Sequence, residues 1–207
     1  NFINNNLMMK RILIANALII LTSILYGQEL KISSAPTINS GLYYQFVAGS
    51  PGQHIKAGLT TSLDYLFLSD NKINFGLGCN YHFAQVEFVP NKNTADMPLH
   101  SERVNIISLR LKSLLRFKNQ WYFSLDPSVD FHLNYDAEQT LDKQSGIGLS
   151  CGLGKNIQIK EAIYLNIEPR LWVHNIFSFT EQDLPYRLTA LGLNLGLVFG
   201  SKSIDNK

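Results

Sequence analysis

Apolar and polar residues alternate along most of the chain from residue 38 onward, and this period of two indicates β-strands rather than helices. In residues 54–68 most odd positions are apolar, such as Leu59 and Leu63, whereas the even positions include Lys56 and Asp64. The same alternation recurs in seven further stretches, at residues 41–48, 73–83, 105–117, 121–135, 146–154, 162–177 and 189–199. The sequence therefore predicts an all-β fold of eight antiparallel strands.

Two prolines, Pro127 and Pro169, lie on the apolar positions of their predicted strands. Proline has no N–H to donate to a strand ladder. We therefore expect a bulge or a local break in the pairing at each of them.

The connections between the predicted strands alternate between two lengths. Short polar turns lie at residues 69–72, 118–120 and 155–161, and longer polar loops run through residues 91–102, 136–145 and 180–187. Short turns on one side and long loops on the other are typical of an up-and-down outer-membrane barrel whose termini lie in the periplasm. We expect the barrel at residues 41–202, after a periplasmic lead-in at residues 28–40 and before a tail at residues 203–207.

The N-terminal part carries the features of a secretory signal peptide. Lys10 and Arg11 follow a methionine and precede an apolar run over residues 12–25. This order predicts export, with residues 1–27 removed by cleavage. The run is shorter than the roughly 20 apolar residues that cross a bilayer as a helix. If the mature protein spans a membrane, it must do so as a closed β-barrel, because closure satisfies every backbone polar group.

Alternation alone does not say which face of the barrel meets lipid, because a soluble lipocalin-like barrel shows the same period with its apolar residues inside. The polar positions are rich in small residues, as at Gly148, Ser150 and Gly152, which suits a narrow lumen better than a water-exposed surface. The apolar positions carry aromatic residues near both strand ends, as two interfacial belts require. We therefore predict an eight-stranded transmembrane β-barrel in the outer membrane of a gram-negative bacterium.

Composition and charge agree with this class. Of the 207 residues, 45% are hydrophobic and only 16% are charged, against about 25% charged in soluble domains. Without Lys10 and Arg11 of the leader, 16 basic residues stand against 16 acidic residues. A nucleic-acid partner is not expected, because it would require a basic excess on one face.

Part of the chain resembles a known family. Residues 103–131, RVNIISLRLKSLLRFKNQWYFSLDPSVDF, place a basic and aromatic turn between two strands, and residues 193–200, LNLGLVFG, form a closing strand. In layout and in these motifs the chain resembles the PorT-like outer-membrane β-barrel proteins of Bacteroidetes. The closing strand is similar to the signal that the barrel assembly machinery reads. The resemblance implies insertion by that machinery into outer-membrane lipids, and it implies no shared catalytic residues.

Charged residues on the polar positions predict an ion-pair network inside the lumen. Its predicted members are Lys56, Asp64, Arg110, Lys112, Arg116, Asp126, Asp130, Glu168 and Arg170. If the central hairpin turns at Asn119, Lys112 lies opposite Asp126 and Arg110 lies between Asp126 and Asp130. Isolated buried ions are strongly penalised, so these charges must be paired or hydrated. We interpret them as an internally neutralised lumen, with an ion or proton pathway as the alternative.

The sequence contains no motif that predicts catalysis or metal binding. His82, His132 and His174 fall on lumen positions near the long loops without the spacing of metal ligands, and we interpret them as hydrogen-bonded lumen residues. Ser128 and Asp130 share a face with His132. Along one strand, however, Ser128 and His132 lie about 13 Å apart, too far for nucleophilic catalysis. We predict no catalytic residue, no cofactor and no metal.

Eight strands enclose an interior that side chains can fill, so a diffusion pore is disfavoured. We expect a non-catalytic outer-membrane protein with a structural, anchoring or interaction role, and with other envelope proteins as partners. Three alternatives stay open. They are a lipid-modifying enzyme with its site at the loop-side rim, a small-solute porin if the barrel is wider, and a soluble secreted lipocalin-like barrel.

Overall fold

The computed structural model describes residues 29–43, 52–54, 56–67, 72–89, 100–136, 141–180 and 186–200. The predicted signal peptide, the predicted tail and the part of the predicted first strand beyond residue 43 lie outside these ranges. Within them, no helix is long and apolar enough to cross a bilayer.

Nearly all of the described chain is β-strand. The strands are β1 (Glu29–Tyr43), β2 (Gly52–His54), β3 (Lys56–Leu66), β4 (Ile73–Val89), β5 (His100–Arg116), β6 (Trp121–Leu133), β7 (Gly146–Lys160), β8 (Ile163–Ser178) and β9 (Tyr186–Phe199). A short 3-10 turn, Lys118–Gln120, connects β5 to β6.

The sheet closes on itself. Its order is β2-β4-β3-β1-β9-β8-β7-β6-β5, and an additional pairing of β4 with β5 completes the ring. The short β2 and the longer β3 follow each other along the same side of β4, so they form one wall of the barrel together. Every pair of neighbouring strands is antiparallel, and the ring includes a pairing of β1 with β9, the first and last described strands. The predicted eight-stranded up-and-down barrel is confirmed.

The two faces of the strands carry the predicted residue types. In β6 the burial alternates at every step from Trp121 to His132, with Leu125 and Val129 exposed and Ser124 and Asp126 buried. Outward apolar side chains and an inward polar face are the reverse of a soluble barrel. The prediction that the apolar positions face outward is confirmed, and the soluble alternative is not supported.

The first wall of the barrel begins earlier than the sequence predicts. Residues 28–40 were expected to be a lead-in, yet β1 starts at Glu29 and pairs with β3 on one side and β9 on the other. Ser34 and Pro36 occupy outward positions of β1, and they interrupt the apolar alternation on which the prediction depended. Backbone pairing with two neighbouring strands holds this weakly patterned segment in the sheet. The barrel therefore starts at residue 29, and the lead-in prediction is wrong.

The central hairpin turns where it was expected to turn. Asn119 has a φ of 58°, a left-handed conformation that asparagine tolerates better than most residues. The resulting register places Ser108 opposite Asp130 and Leu114 opposite Ser124. This register aligns the charged positions of β5 with those of β6.

Both prolines interrupt one ladder without shifting it. On the β5 side of Pro127 the pairing stops at Arg110 and Ser128 and resumes further along in the same register. Beside Pro169 the ladder between β7 and β8 is interrupted in the same way. The predicted local breaks are confirmed. In contrast, the predicted turn at residues 155–161 is too long, because β7 continues to Lys160 and pairs with β8 up to Ile163.

Candidate functional site

The middle of the lumen contains the predicted contact between two neighbouring strands. Lys112 Nζ on β5 lies 2.7 Å from Asp126 Oδ2 on β6, as the turn at Asn119 predicts. Asp126 Oδ2 also accepts a hydrogen bond from Arg170 Nη1 of β8. Arg110 Nη1 lies 3.7 Å from the same oxygen. One carboxylate oxygen therefore lies beside three basic side chains, two from β5 and one from β8.

The ion pairs continue across the whole width of the lumen. On one side, Asp64 Oδ1 of β3 is 2.5 Å from Arg110 Nη2. On the other side, Glu168 Oε1 is 2.6 Å from Arg170 Nη2, and Glu168 Oε2 is 2.6 Å from Lys31 Nζ of β1. Lys31 was not among the predicted members, because it lies in the segment that was expected to precede the barrel. We call the connected set the central network: Lys31, Asp64, Arg110, Lys112, Asp126, Glu168 and Arg170.

Arg170 is the hub of the central network. Its guanidinium donates to Glu168 through Nε at 3.2 Å and Nη2 at 2.6 Å. The same group donates to the hydroxyl oxygen of Ser124 at 2.6 Å and to that of Ser150 at 2.9 Å. Together with its bond to Asp126, every nitrogen of the guanidinium has an acceptor. Such a fully bonded arginine fixes the carboxylates around it in one arrangement.

The central network is buried and tightly enclosed. No side chain in it is more than 9% exposed. Glycines face it from neighbouring strands, and each leaves room for a charged group. A Cβ added to Gly152 would lie 2.5 Å from Glu168 Oε1, and one added to Gly78 would collide with the Asp64 carboxylate. At Gly78 and Gly152 the absence of a side chain therefore makes room for a carboxylate of the central network.

Three predicted members lie outside the central network. Lys56 Nζ contacts Glu87 Oε2 at 3.1 Å at the rim, and its side chain is 37% exposed. Arg116 Nη2 pairs at 2.5 Å with Glu29 near the short turns. Asp130 accepts from neutral partners and a histidine rather than from Arg110. The position of these residues corrects the predicted single network of nine charges.

The lumen changes character toward the long loops, where its filling becomes apolar. The residues of this apolar cluster are Ala84, Val86, Phe88, Val104, Ile106, Leu141 and Leu188. At the same level the outward positions of β4 and β5 are polar, as at Gln85, Glu87 and Arg103. The inside-out pattern of the middle of the barrel is therefore reversed here. The sequence contains this reversal in residues 83–89, but alternation alone does not say where the lipid ends.

Between the apolar cluster and the central network lie the histidines. His82 Nδ1 is 2.5 Å from Thr60 Oγ1, and His174 Nδ1 is 3.1 Å from Asp130 Oδ2. The rings of His82 and His174 come from opposite walls and meet with their centroids 4.9 Å apart. The interpretation of these histidines as hydrogen-bonded lumen residues is confirmed. Among the described residues, no group of three or more His, Cys, Asp or Glu is placed to hold a metal ion.

A bulge in β8 brings two consecutive side chains into the lumen beside Asp130. The register between β7 and β8 shifts between Ile147 and Leu149, and Asn175 has a φ of 54°. As a result both His174 and Asn175 are buried. The Asn175 backbone N–H donates to Asp130 Oδ2 at 3.3 Å. The alternation in the sequence could not show this, because it assigns consecutive residues to opposite faces of the strand.

The fold and the lumen together define an integral outer-membrane β-barrel. A closed ring of strands with an exposed apolar band satisfies its backbone internally and presents hydrocarbon to lipid. The short turns mark the periplasmic end and the long loops mark the extracellular end. The protein lies in the outer membrane of a gram-negative bacterium, with a narrow lumen filled by side chains.

Known proteins resemble the chain in architecture. No family model matches it, and no curated protein matches it. Among solved structures, the outer-membrane protein AlkL in lipid bilayers is 12% identical over 87% of this chain and 93% of its own, with a TM-score of 0.48. OprG from Pseudomonas aeruginosa is 13% identical over 84% and 97%, with a TM-score of 0.48. Ail of Yersinia pestis is 14% identical over 84% and 99%, with a TM-score of 0.42. At these identities the likeness concerns the fold alone.

Proposed function

We propose that this protein is a non-conducting, non-catalytic outer-membrane barrel with a structural, anchoring or interaction role. The observation that carries the proposal is the central network. It links β3, β5, β6, β8 and β1 through ion pairs, so charged side chains occupy the lumen from wall to wall. An eight-stranded barrel has no spare width around such a layer.

Two further layers support the closed lumen. At the periplasmic end Leu66, Leu114 and Tyr122 form a small buried cluster, beside the ion pair of Arg116 with Glu29. At the extracellular end the apolar cluster fills the opening. A solute would have to displace three layers of different chemistry. Function then falls to the surfaces that the barrel presents on either side of the membrane.

The arrangement of the polar residues favours a non-catalytic role. The Ser128 hydroxyl donates to Asp130 at 2.8 Å, so this serine is bonded to the acid rather than to a histidine that could activate it. The hydroxyl of Thr60 does lie beside His82. Both residues are completely buried in the lumen, however, where a lipid at the rim cannot reach them. The rim-site lipid-modifying enzyme is therefore the weaker candidate.

The PorT-like family of Bacteroidetes is the finer assignment that we propose. It is supported by the hairpin of residues 103–131, which folds as one β-hairpin with its turn at Asn119. The closing strand β9 ends at Phe199 and pairs along its length with β1 and β8. Such a terminal strand suits recognition by the barrel assembly machinery. Outer-membrane lipids and other envelope proteins are the partners proposed with this assignment.

Planar-bilayer recording of the reconstituted protein tests the closed lumen. The wild type should show no steady single-channel conductance, whereas a large porin reconstituted in parallel should conduct. The double substitution Glu168→Ser with Arg170→Ser keeps the net charge and removes the hub, so it should admit ions. A steady open pore in the wild type would overturn the proposal. A lipid-hydrolysis assay on the same samples should show no activity above protein-free vesicles, and activity there would favour the enzyme.

A further inference from the structure

A segment of the long connection between β6 and β7 folds back into the extracellular mouth of the barrel. We call it the lid segment, Leu141–Ser145. Leu141 is completely buried in the apolar cluster, and its backbone N–H donates to Glu102 Oε2 of β5 at 2.9 Å. Gln144 Oε1 accepts the backbone N–H of Leu188 in β9 at 2.8 Å. Strands β5 and β9 lie on opposite sides of the ring, so the segment bridges the mouth.

Two more walls hold the lid segment. Asn175 Nδ2 of β8 donates to the backbone oxygen of Lys143 at 2.9 Å. On β6 the backbone N–H of His132 donates to Ser145 Oγ at 3.0 Å. The backbone N–H of Gln144 in turn donates to the ring nitrogen Nδ1 of His132 at 3.2 Å. Of these three bonds to β6 and β8, only the last has a titratable acceptor.

The bond to His132 requires a neutral imidazole. An Nδ1 that accepts a hydrogen bond carries a lone pair, and an imidazolium has none because both ring nitrogens bear hydrogen. Protonation would therefore turn an acceptor into a donor that faces the Gln144 N–H. The closed position of the lid segment and the charged form of His132 exclude each other at this contact.

We propose that the lid segment is a pH-sensitive cover of the extracellular mouth, and that His132 is the residue that releases it on acidification. This inference goes beyond the proposed function, because it describes how one face of the barrel changes. Below the lid segment the central network stays in place, since its ion pairs do not include His132. Acidification therefore uncovers the apolar cluster without opening a pore.

Other titratable and charged groups surround the contact. Burial disfavours a charge on His132 most strongly. Lys143 of the lid segment and His174 of β8 also disfavour it, whereas Glu102 of β5 favours one. His174 Nδ1 itself lies 3.1 Å from Asp130 Oδ2. Because the His82 ring lies against His174, both cannot become charged without repulsion. These neighbours act on the charge of His132 in opposite directions, so none of them alone decides when the lid segment is released.

One acidic group of the lid segment, Asp142, has two opposing effects on its closed position. Burial raises the pKa of Asp142, while Arg187 opposes that rise. Protonation of Asp142 would weaken its attraction to Arg187 at low pH, but it would also remove a buried charge. Asp142 therefore has no fixed effect on the lid segment, and the test must single out His132.

The size of the effect follows from linkage. A free histidine titrates near pH 6.5, and in the closed state His132 must stay neutral. The closed state therefore has its full stability above pH 6.5. Below that value, the ratio of closed to open protein falls about tenfold per pH unit. Between pH 7.5 and pH 5 the open population should rise by about 30-fold from this one group.

Thiol labelling under the lid segment measures this change. In a background with Cys79→Ala and Cys151→Ala, Val104→Cys places a thiol in the apolar cluster, and Ser101→Cys places one on the exposed outer face nearby. A bulky, membrane-impermeant thiol reagent is applied to protein in lipid vesicles at pH 7.5 and pH 5. The ratio of the Val104→Cys rate to the Ser101→Cys rate cancels the pH dependence of the thiol chemistry. This ratio should rise at least tenfold on acidification.

The substitution His132→Asn is the matched control. The asparagine Oδ1 is bonded to Cγ as Nδ1 is in histidine, so it can accept the Gln144 N–H, and it does not titrate. The ratio should then stay low at both pH values, whereas His132→Ala should give a high ratio at both. A ratio that is flat in the parent protein overturns the proposal. So does a pH response that survives in His132→Asn, which would place the switch elsewhere. Circular dichroism at both pH values confirms that the barrel is intact, and conductance should stay absent throughout.

Discussion

The middle of the barrel and its extracellular end follow opposite rules. In the middle, inward positions hold ions and outward positions hold large apolar residues such as Leu109 and Leu125. At the extracellular end, inward positions such as Val104 are apolar and outward positions such as Arg103 are polar. The same strands, β4 and β5, pass through both regions without a break. The medium outside the wall, rather than the strand itself, therefore decides which residue type faces in.

The change of rule locates the outer surface of the membrane. Tyr81 is outward-facing, and its hydroxyl donates to Asn105 Oδ1 at 2.7 Å, an arrangement that suits the interface, where aromatic rings with polar tips concentrate. Beyond this level Gln85 and Arg103 face outward. We infer that β4 and β5 leave the lipid near Tyr81 and continue as a wall with water outside. The interior there is stabilised by the hydrophobic effect, as in a soluble protein.

The largest expected effect comes from breaking the central network. Asp126→Asn leaves Lys112 and Arg170 facing each other without the carboxylate between them. Removing one partner of a buried ion pair destabilises by about 3–5 kcal/mol. Urea unfolding in lipid vesicles measures the loss. Asp130→Asn in the histidine layer serves as the control and should lose less, about 1–3 kcal/mol, because its carboxylate binds mostly neutral donors. Equal losses would mean that the ion pairs of the central network contribute no more to stability than the hydrogen bonds of the histidine layer.

Truncation in the apolar cluster tests the other region. Ile106→Ala should destabilise the protein by about 2–5 kcal/mol, because it removes buried methyl groups and leaves a cavity. The neighbouring outward residue provides the comparison. Arg103→Ala removes an exposed side chain and should change the free energy of unfolding by no more than about 0.5 kcal/mol. A similar loss for both would show that the extracellular end is not packed from within.

The outer surface of the two regions should respond differently to a charge. Leu125→Arg places a charge against the middle of the lipid and should cost about 2–4 kcal/mol. Gln85→Arg places the same charge beyond the proposed membrane surface and should cost about 0–1 kcal/mol. Both are measured by unfolding in vesicles of one lipid composition. A large penalty at Gln85 would move the membrane boundary outward.

The sequence predicted the parts of this molecule that depend on alternation. Strand number, the outward face and the pairing of Lys112 with Asp126 follow from a period of two and one turn position. The prediction failed where the alternation is weak. In β1, Ser34 and Pro36 interrupt the apolar positions, so this strand and its lumen residue Lys31 were not recognised. It also failed at Asn175, because a bulge there turns two consecutive side chains to the same face of the strand.

The reach of long side chains could not be predicted from register. Arg110 was expected between Asp126 and Asp130, yet it extends to Asp64 on β3 at 2.5 Å. A lumen of eight strands is narrow enough for an arginine to reach a wall that is not its neighbour in the hairpin. This contact depends on the register of β3 with β4 and of β4 with β5, which places Asp64, Gly78 and Arg110 in line. The alternation in the sequence shows which charged residues point inward, but it does not show which of them form ion pairs.

The smallest expected effect concerns Lys56, which the sequence placed inside the lumen. Its Nζ lies 3.1 Å from Glu87 Oε2, and its side chain is 37% exposed. An ion pair this accessible to water contributes at most about 1 kcal/mol. Salt weakens such an exposed pair, since the Debye length is about 8 Å at 0.15 M ionic strength. Lys56→Gln should therefore lower the free energy of unfolding by at most that amount, and the loss should shrink at high salt. Lys112→Gln is the matched substitution in the central network, where it should cost several-fold more at every salt concentration. A large, salt-independent loss for Lys56→Gln would return Lys56 to the network and extend the charged middle of the barrel to the rim.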